Sequence, residues 1–220
     1  MPSHEELADR PVTTAEEAKA VLCALGRRFY QQGWVSGTGG GMSIRLGERV
    51  FMAPSGVQKE LLRPEMIFEL DSAGHVVHGP ADQQVSQCRT LFLAAMQLRG
   101  AGAVIHTHSR HALLATMAFP DRVVMTQLEM MKGLHGVGYQ DIHEVPIIEN
   151  TAQECDLQGA LEGAMRAFPH AHAVLVRRHG MYVWGEDWRE AKRHAECYDY
   201  LLDIVVELRR LHGLSPVRSC

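Results

Sequence analysis

The chain has 220 residues, of which 46% are hydrophobic and 22% are charged, and its formal net charge is −4. This length accommodates one large α/β domain or two small ones, and the lack of a basic excess argues against nucleic-acid binding. No apolar run approaches the roughly 18 residues of a membrane helix, and residues 1–6 are acidic where a signal peptide would be basic. We therefore expect a cytoplasmic protein.

The cysteines are odd in number, scattered and free of any C-x-x-C spacing. This pattern indicates neither a disulfide framework nor a structural zinc ribbon, so most of them should be reduced thiols. The five are Cys23, Cys88, Cys155, Cys197 and Cys220.

The first predicted element is an amphipathic helix. Thr13-Thr14 precedes Glu16-Glu17 by three residues, which offers two overlapping capping boxes. Apolar residues follow at helical spacing as far as Phe29, and Gly33 supplies an end.

A glycine-rich loop and two short strands come next. Residues 34–43 include four glycines within five consecutive positions, and the strands are predicted at Met42 to Leu46 and Val50 to Ala53. Glycines let backbone N–H groups approach an anion because no Cβ blocks them. A second turn, residues 53–56, and the nearby Lys59 follow the second strand.

The two loops predict a phosphate cradle in which Thr38, Ser43, Ser55 and backbone amides donate hydrogen bonds. The alternative is that the glycines form a plain connection. The spacing matches neither a Walker loop nor a dinucleotide fingerprint, so the sequence leaves both interpretations open.

The middle of the chain predicts an alternation of helix and strand. Further strands are expected at Ile67 to Leu70 and His75 to Val77, and Ser86 is a plausible N-cap for a helix that ends at Gly100. A buried strand then leads to His106, and a helix follows from His111 to Ala118. This order is typical of an α/β fold.

Two histidines mark the end of that buried strand. Side chains two residues apart in a strand share a face, so His106 and His108 can bind one divalent cation and leave a coordination position for substrate. Chance is the alternative, since the chain has 13 histidines and contains a second such pair, His170 and His172. That second pair precedes its strand and is expected in a turn at the opposite end of the sheet.

His179 is the candidate third ligand. It follows a predicted buried strand, Ala173 to Val176, just as His108 follows its own strand, and strand ends meet where ligands bind in α/β folds. Before it, a strand is expected at Val145 to Ile148, and a capping box from Thr151 to Glu154 should open a helix that runs to about Ala167.

Glu129 is the candidate acid/base. It lies between apolar residues in the segment 126–133, where a half-buried carboxylate would suit proton transfer. The alternative is a solvated side chain on a short helix near Lys132.

Four sequence blocks resemble the class II aldolase/adducin family in order and approximate spacing. They are residues 33–41 (GWVSGTGGG), 53–60 (APSGVQKE), 100–109 (GAGAVIHTHS) and 176–185 (VRRHGMYVWG). The resemblance covers nearly the whole chain. It implies a single three-layer domain, residues 1–220, with a central mixed β-sheet flanked by helices.

The resemblance also implies a site. His106, His108 and His179 would bind one Zn²⁺ per subunit. The phosphate of a ketose substrate would lie among loop residues, with Lys59 nearby; these residues are Thr38, Gly40, Gly41, Ser55, Gly56 and Ser86.

One departure separates this chain from the family's aldolases. Their helix after the serine opens with a glutamate that acts as acid/base, whereas this sequence has Cys88 there. In the branch that dehydrates a phosphorylated ketose, a glutamate after the histidine pair has that role, and the matching residue is Glu129. Cys88 would then border the substrate. The aldolases also have an asparagine where this chain has Gly41.

Two other classes stay open. One is a zinc aldolase or epimerase acting on another sugar phosphate, against which the missing glutamate counts. The other is a non-enzymatic, adducin-like interaction domain, against which the three retained histidines count. The resemblance further implies a homotetramer with active sites at subunit contacts.

Overall fold

A computed structural model describes residues 9–212 of the chain. The helices in this range are α1 (Ala15–Gln31), α2 (Arg89–Arg99), α3 (Arg110–Ala118), α4 (Gln158–Ala167) and α5 (Trp188–His212). The strands are β1 (Gly41–Leu46), β2 (Arg49–Met52), β3 (Phe68–Asp71), β4 (Val76–His78), β5 (Ala103–Thr107), β6 (Arg122–Met125), β7 (His143–Ile148), β8 (Ala173–Val176) and β9 (Gly180–Gly185).

These strands form one mixed sheet in the order β4-β3-β2-β1-β5-β9-β8-β7-β6. Neighbours run antiparallel except β7 and β8, which are parallel. β5 and β8 are separated by β9 and are both antiparallel to it, so they run in the same direction and end on the same side of the sheet. The expectation that the ends of these two strands bring the histidine segments together is confirmed.

Helices cover both faces of the sheet. Along β5, Ile105 packs in the core beneath α1, α3 and α5, whereas Val104 packs in the core beneath α2 and α4. Successive residues of a strand point to opposite faces, which explains this division. The predicted α/β fold, a central mixed sheet flanked by helices, is confirmed.

Most predicted elements form close to their expected positions. Thr14 caps α1, since its hydroxyl accepts a hydrogen bond from the N–H of Glu17 at 3.2 Å. Gly33 follows α1 with a φ of +74°, and Gly100 ends α2 in the left-handed conformation. These residues act locally, so the sequence pattern was sufficient to find them.

Three segments differ from the prediction. Ser86 is not the N-cap of α2, because the N-cap position is Cys88 and the Ser86 hydroxyl accepts a hydrogen bond from the N–H of Cys88 at 3.2 Å. β6 has no predicted counterpart, because its four residues are too short a pattern to recognise without its partner β7. The helix expected from Thr151 begins at Gln158, after a 3-10 turn at Glu154–Leu157. The Thr151 hydroxyl donates to the carbonyl oxygen of Gln153 at 2.7 Å, and the predicted capping box does not form.

The described range contains four of the five cysteines. Cys23, Cys88, Cys155 and Cys197 are free, while Cys220 and residues 1–6 lie outside the described range. Between residues 9 and 212, none of the helices combines the length and apolarity that crossing a bilayer requires.

Gly180 permits the close approach of β9 to β5. A Cβ at this position would clash with the carbonyl oxygen of Thr107, which belongs to the opposite backbone and cannot move aside. Gly163 is a contrasting case, because it is exposed on α4 and a Cβ there would meet open space.

We expect Gly180→Ala to lower the free energy of unfolding by about 2 kcal/mol or more, because the two strands must separate. Gly163→Ala should raise it by about 1 kcal/mol, since alanine is the better helix former. The measurement is denaturant unfolding of metal-free protein at one fixed concentration. A Gly180→Ala variant as stable as the wild type would contradict the close approach.

Candidate metal centre

Three imidazole rings lie close together at the end of β5, one of the central strands of the sheet. The Nε2 atoms of His106 and His179 are 3.2 Å apart, those of His106 and His108 are 3.1 Å apart, and those of His108 and His179 are 3.0 Å apart. The sequence-predicted set of ligands is therefore brought together around one point.

The sheet register explains this convergence. His106 pairs with Tyr182 across β5 and β9, and their rings stack with centroids 4.1 Å apart. His179 immediately precedes β9, so the antiparallel pairing places it beside the end of β5. The hairpin from β8 to β9 turns through Arg178, which has a φ of +55°.

Hydrogen bonds orient two of the rings. The Nδ1–H of His106 donates to the carbonyl oxygen of Met181 at 3.0 Å, and that of His179 donates to Oδ1 of Asn150 at 3.2 Å. A neutral imidazole has one N–H, so both Nε2 atoms present lone pairs to the shared point. Such partners are typical of metal-binding histidines, since they fix the tautomer and the ring orientation.

Burial keeps the three rings neutral. It lowers the pKa of His106 well below its ordinary value, lowers that of His108 to about 4, and also lowers the pKa of His179. A buried imidazolium would lose its hydration, which is why burial favours the uncharged form. The uncharged form is also the one that binds metals.

The donor set fits one divalent ion. Nitrogen ligands about 2.0–2.1 Å from a tetrahedral ion lie roughly 3.3 Å from one another, close to the separations seen here. The Nε2 lone pairs of His106 and His179 face each other at 3.2 Å and repel unless a proton or a metal cation lies between them. Together with Glu154, the histidines form a group whose ligand atoms all lie within 4.8 Å of one another.

Glu154 is a member of this group that the sequence analysis missed. Its Oε1 lies 3.9 Å from Nε2 of His106 and 3.7 Å from Nε2 of His179. The capping-box pattern gave a sufficient local explanation for it. Its position after the predicted strand at Val145 to Ile148, which is β7 in the structure, was the usable indication. Because β7 and β8 are parallel, Glu154 after β7 and His179 after β8 lie at the same end of the sheet.

Cys88 links Glu154 to the rest of the site. The Cys88 thiol donates to Oε2 of Glu154 at 2.9 Å and accepts a hydrogen bond from the hydroxyl of Tyr182 at 3.6 Å. Burial, reinforced by the Glu154 charge, raises the pKa of the Cys88 thiol far above its ordinary value. The thiol is therefore a neutral donor and not a nucleophilic thiolate.

The two predicted anion loops lie beside the histidines. A Cβ at Gly39 would fall 2.5 Å from Nδ1 of His108, and one at Gly40 would fall 2.8 Å from the carbonyl oxygen of His106. Gly41 pairs with His106 in the sheet, and its nearest neighbours include Phe92 and the Ser86 hydroxyl. A Cβ at Gly41 would lie 3.3 Å from the Phe92 ring, so a larger residue at this position requires a small shift of that ring.

Lys59 connects the two loops. Its ammonium donates to the carbonyl oxygens of Thr38 at 2.9 Å and Val57 at 3.0 Å, and the residue is only 1% exposed. Burial lowers the pKa of Lys59. The lysine thus fixes the loops relative to each other.

The second loop also reaches Ser86. The N–H of Ser55 donates to the carbonyl oxygen of Gln84 at 2.8 Å, and Pro54 forms a β-bridge with Val85. Gly56, with a φ of +68°, completes the turn. The structure thus assembles the glycine-rich loop, the Ala-Pro-Ser-Gly turn and the serine segment near His106.

Glu129 is not part of the four-residue group. It begins a 3-10 helix (Glu129–Gly133), its side chain is 76% exposed, and its carboxylate pairs with Lys132 at 2.8 Å. In the isolated chain its surroundings match the solvated alternative that the sequence left open.

The second histidine pair lies elsewhere, as expected. His172 donates to the carbonyl oxygen of His135 and stacks on His194, at the end of β9 opposite to His179. His170 is exposed in the turn before β8.

The chain matches the sequence model of a known protein family. Residues 20–206 match the model of the class II aldolase and adducin N-terminal domain, and the chain therefore belongs to this family. A human relative named methylthioribulose-1-phosphate dehydratase is 47% identical over 91% of this chain and 87% of its own length. A chicken (Gallus gallus) relative of the same name is 48% identical over 87% of this chain and 83% of its own length.

Solved structures show the same fold. An L-fuculose 1-phosphate aldolase has a TM-score of 0.77 at 22% identity and covers 94% of this chain and 92% of its own. YgbL from Klebsiella pneumoniae, described as a putative aldolase/epimerase/decarboxylase, has a TM-score of 0.75 at 20% identity and covers 90% of this chain and 92% of its own. The family predicted from the four sequence blocks is confirmed.

We expect His179→Ala to lose the bound metal, because two imidazoles leave an incomplete donor set. His170→Ala is the matched control, since His170 is exposed and distant from the cluster. Metal content after gentle purification, measured by plasma emission spectroscopy, checks both variants. Stoichiometric metal in His179→Ala would refute the ligand assignment.

Proposed function

We propose that the protein is a zinc-dependent lyase of the methionine salvage pathway. It dehydrates 5-methylthioribulose 1-phosphate to 2,3-diketo-5-methylthiopentyl 1-phosphate. The observation that carries the proposal is the group of three neutral imidazoles at the end of β5, in a chain nearly half identical to relatives named for this reaction. Cys88 in place of the aldolase glutamate supports dehydration over aldol cleavage.

The reaction removes the proton from C3 and the hydroxyl from C4 of the ketose, with water as the second product. Zinc held by His106, His108 and His179 would supply Lewis acidity at the substrate's C2 and C3 oxygens, which stabilises the negative charge that follows loss of the C3 proton. The burial of His106 supports this role, because the low dielectric strengthens electrostatic interactions there.

The loops would hold the phosphate end of the substrate. Backbone N–H groups of Gly40 and Gly41, and the hydroxyls of Ser55 and Ser86, are the proposed donors, with Thr38 and Gly56 at the rim. Lys59 lends its positive charge while it fixes the two loops through their carbonyl oxygens. A phosphate held there would place the ketose carbons beside the imidazoles.

Glu129 would carry the proton from C3 to the departing C4 hydroxyl, a contribution of roughly 10²- to 10⁴-fold to the rate. Its exposure in a single chain supports a role at the site of a neighbouring subunit. Met130, Tyr139 and Ile142, which follow Glu129 in the chain, are also exposed to solvent. Exposed apolar side chains of this kind are typical of subunit contacts. We therefore propose a homotetramer in which Glu129 serves the adjacent metal centre.

The direct test is an assay of purified, zinc-loaded protein on methylthioribulose 1-phosphate. The diketone product, followed by NMR, is the expected outcome. Two smaller carbon fragments would identify an aldolase instead. Recovery of unchanged substrate with metal present would favour a non-enzymatic protein.

We expect Glu129→Gln to keep its metal but to lose turnover by at least a hundredfold, because the amide cannot exchange the proton. Glu48→Gln is the matched control, an exposed glutamate in the turn between β1 and β2. Retained turnover in Glu129→Gln would move the acid/base role to another residue.

Mixed tetramers test where Glu129 acts. We expect Glu129→Gln and His106→Ala, each inactive alone, to regain about a quarter of the wild-type activity when refolded together, because in a randomly assembled ring one site in four combines both intact residues. No recovery in mixtures that size-exclusion chromatography shows to be tetrameric would assign Glu129 to its own subunit or to no site.

A further inference from the structure

We propose that Asp199, on α5, is a positioning residue for the metal ligand His108. It acts through Ser109, which follows His108 in the chain and caps α3. The inference rests on the metal site of the proposed function and not on the identity of the substrate. It gives a role in metal binding to a carboxylate whose hydrogen-bond partners, Ser109 and His111, both lie at the start of α3.

His108 is held differently from the other two imidazoles. The Nδ1 atoms of His106 and His179 each form a hydrogen bond that orients the ring. Within residues 9–212, Nδ1 of His108 has no such partner, although its Nε2 lies at about 3 Å from those of the other two rings. The position of the His108 ring therefore depends on the backbone that carries it.

That backbone is fixed on both sides of the His108 side chain. The N–H of His108 donates to the carbonyl oxygen of Trp34 at 2.7 Å. The hydroxyl of Ser109 donates to Oδ1 of Asp199 and accepts a hydrogen bond from the N–H of Ala112 at 3.2 Å. Ser109 is wholly buried, so water does not compete for its hydroxyl. Because neighbouring Cα atoms are about 3.8 Å apart, a displacement of Ser109 is passed directly to His108.

Asp199 joins the first turn of α3 to the middle of α5. Its Oδ2 lies 3.0 Å from Nδ1 of His111, and its Oδ1 accepts from Ser109. α5 is anchored in the core at this point, since Tyr198 and Leu202 are wholly buried. A carboxylate at the N-terminus of a helix is also favoured by the helix dipole. The start of α3, and with it the backbone of His108, is therefore held against a core helix.

The order of these groups excludes a nucleophilic serine. In a catalytic triad the histidine lies between the serine and the carboxylate and accepts the serine proton. Here Asp199 lies between Ser109 and His111. This arrangement suits the positioning of a backbone segment and not covalent catalysis.

The test measures metal binding without substrate. Zinc affinity is determined by competition with a chelator, and the geometry at the metal is followed by visible absorption of the cobalt-substituted protein. Metal–ligand distances vary by only about 0.2 Å, so a small shift of His108 matters. We expect Asp199→Ala to change the cobalt spectrum and to bind zinc about 10- to 100-fold more weakly, the usual effect of removing a group that orients a metal ligand.

Asp203→Ala is the matched control. Asp203 lies one turn further along α5, and its carboxylate is 3.6 Å from Nε2 of His111. This variant also removes a carboxylate that faces α3, but it keeps the contact between Ser109 and Asp199. We expect wild-type zinc affinity and an unchanged cobalt spectrum. An equal loss of zinc affinity in Asp203→Ala would overturn the specific role of Asp199.

Three further variants test whether the hydrogen bond itself is responsible. Asp199→Asn keeps an oxygen that accepts from Ser109 and should retain most of the zinc affinity. Ser109→Ala removes the donor and should weaken zinc binding as Asp199→Ala does. The double variant should bind zinc no more weakly than either single variant, because both changes remove one interaction. Additive losses in the double variant would contradict a shared path to His108.

A loss of fold stability has a different signature. Asp199→Ala is expected to unfold at a lower denaturant concentration, because a buried hydroxyl loses its acceptor. The cobalt spectrum and the zinc affinity are therefore measured where unfolding curves show the variant to be folded. Ser109→Ala gives the same comparison if Asp199→Ala does not fold. Wild-type values in the folded variants would overturn the proposal, and the separate assay of wild-type dehydratase activity distinguishes this failure from failure of the proposed function.

Discussion

The antiparallel pairing of β5 with β9 is the constraint on which the site depends. It sets His106 opposite Tyr182 and brings His179, one residue before β9, to the end of β5. Gly180 allows this approach because a side chain there would meet the backbone of Thr107. The three imidazoles consequently lie on, or within one residue of, two central strands of the sheet, and sites built on regular elements keep their geometry better than sites on loops.

Burial keeps the three imidazoles uncharged, and it also makes unpaired polar atoms in the site destabilising. His106 is wholly buried, and its Nε2 lies 3.2 Å from Nε2 of His179, whose Nδ1–H is directed to Asn150. Buried polar atoms without a partner destabilise a fold. A cation at the shared point removes that cost, and Glu154 supplies a negative charge beside it. Metal affinity and fold stability should therefore be coupled.

Sequence reasoning found what local patterns determine. Alternation along a strand was enough to put His106 and His108 on one face. The exit from a buried strand identified His179, because β5 and β8 run in the same direction on either side of β9. Glu154 was not predicted as part of the site, because a capping box was a sufficient local explanation for it. Its position near the histidines depends on the pairing of β7 with β8. Glu129 lies in a pattern that fits both a half-buried acid and a solvated one, and in the structure its side chain is exposed and paired with Lys132.

If the three imidazoles bind one metal ion through Nε2, the ion lies at the point that these three nitrogen atoms surround. Anomalous diffraction at the zinc absorption edge, on crystals of the zinc-loaded protein, locates the ion. We expect one strong peak per chain, about 2.0–2.1 Å from the Nε2 atoms of His106, His108 and His179. A peak elsewhere, or no peak at this position in crystals of fully loaded protein, would contradict it.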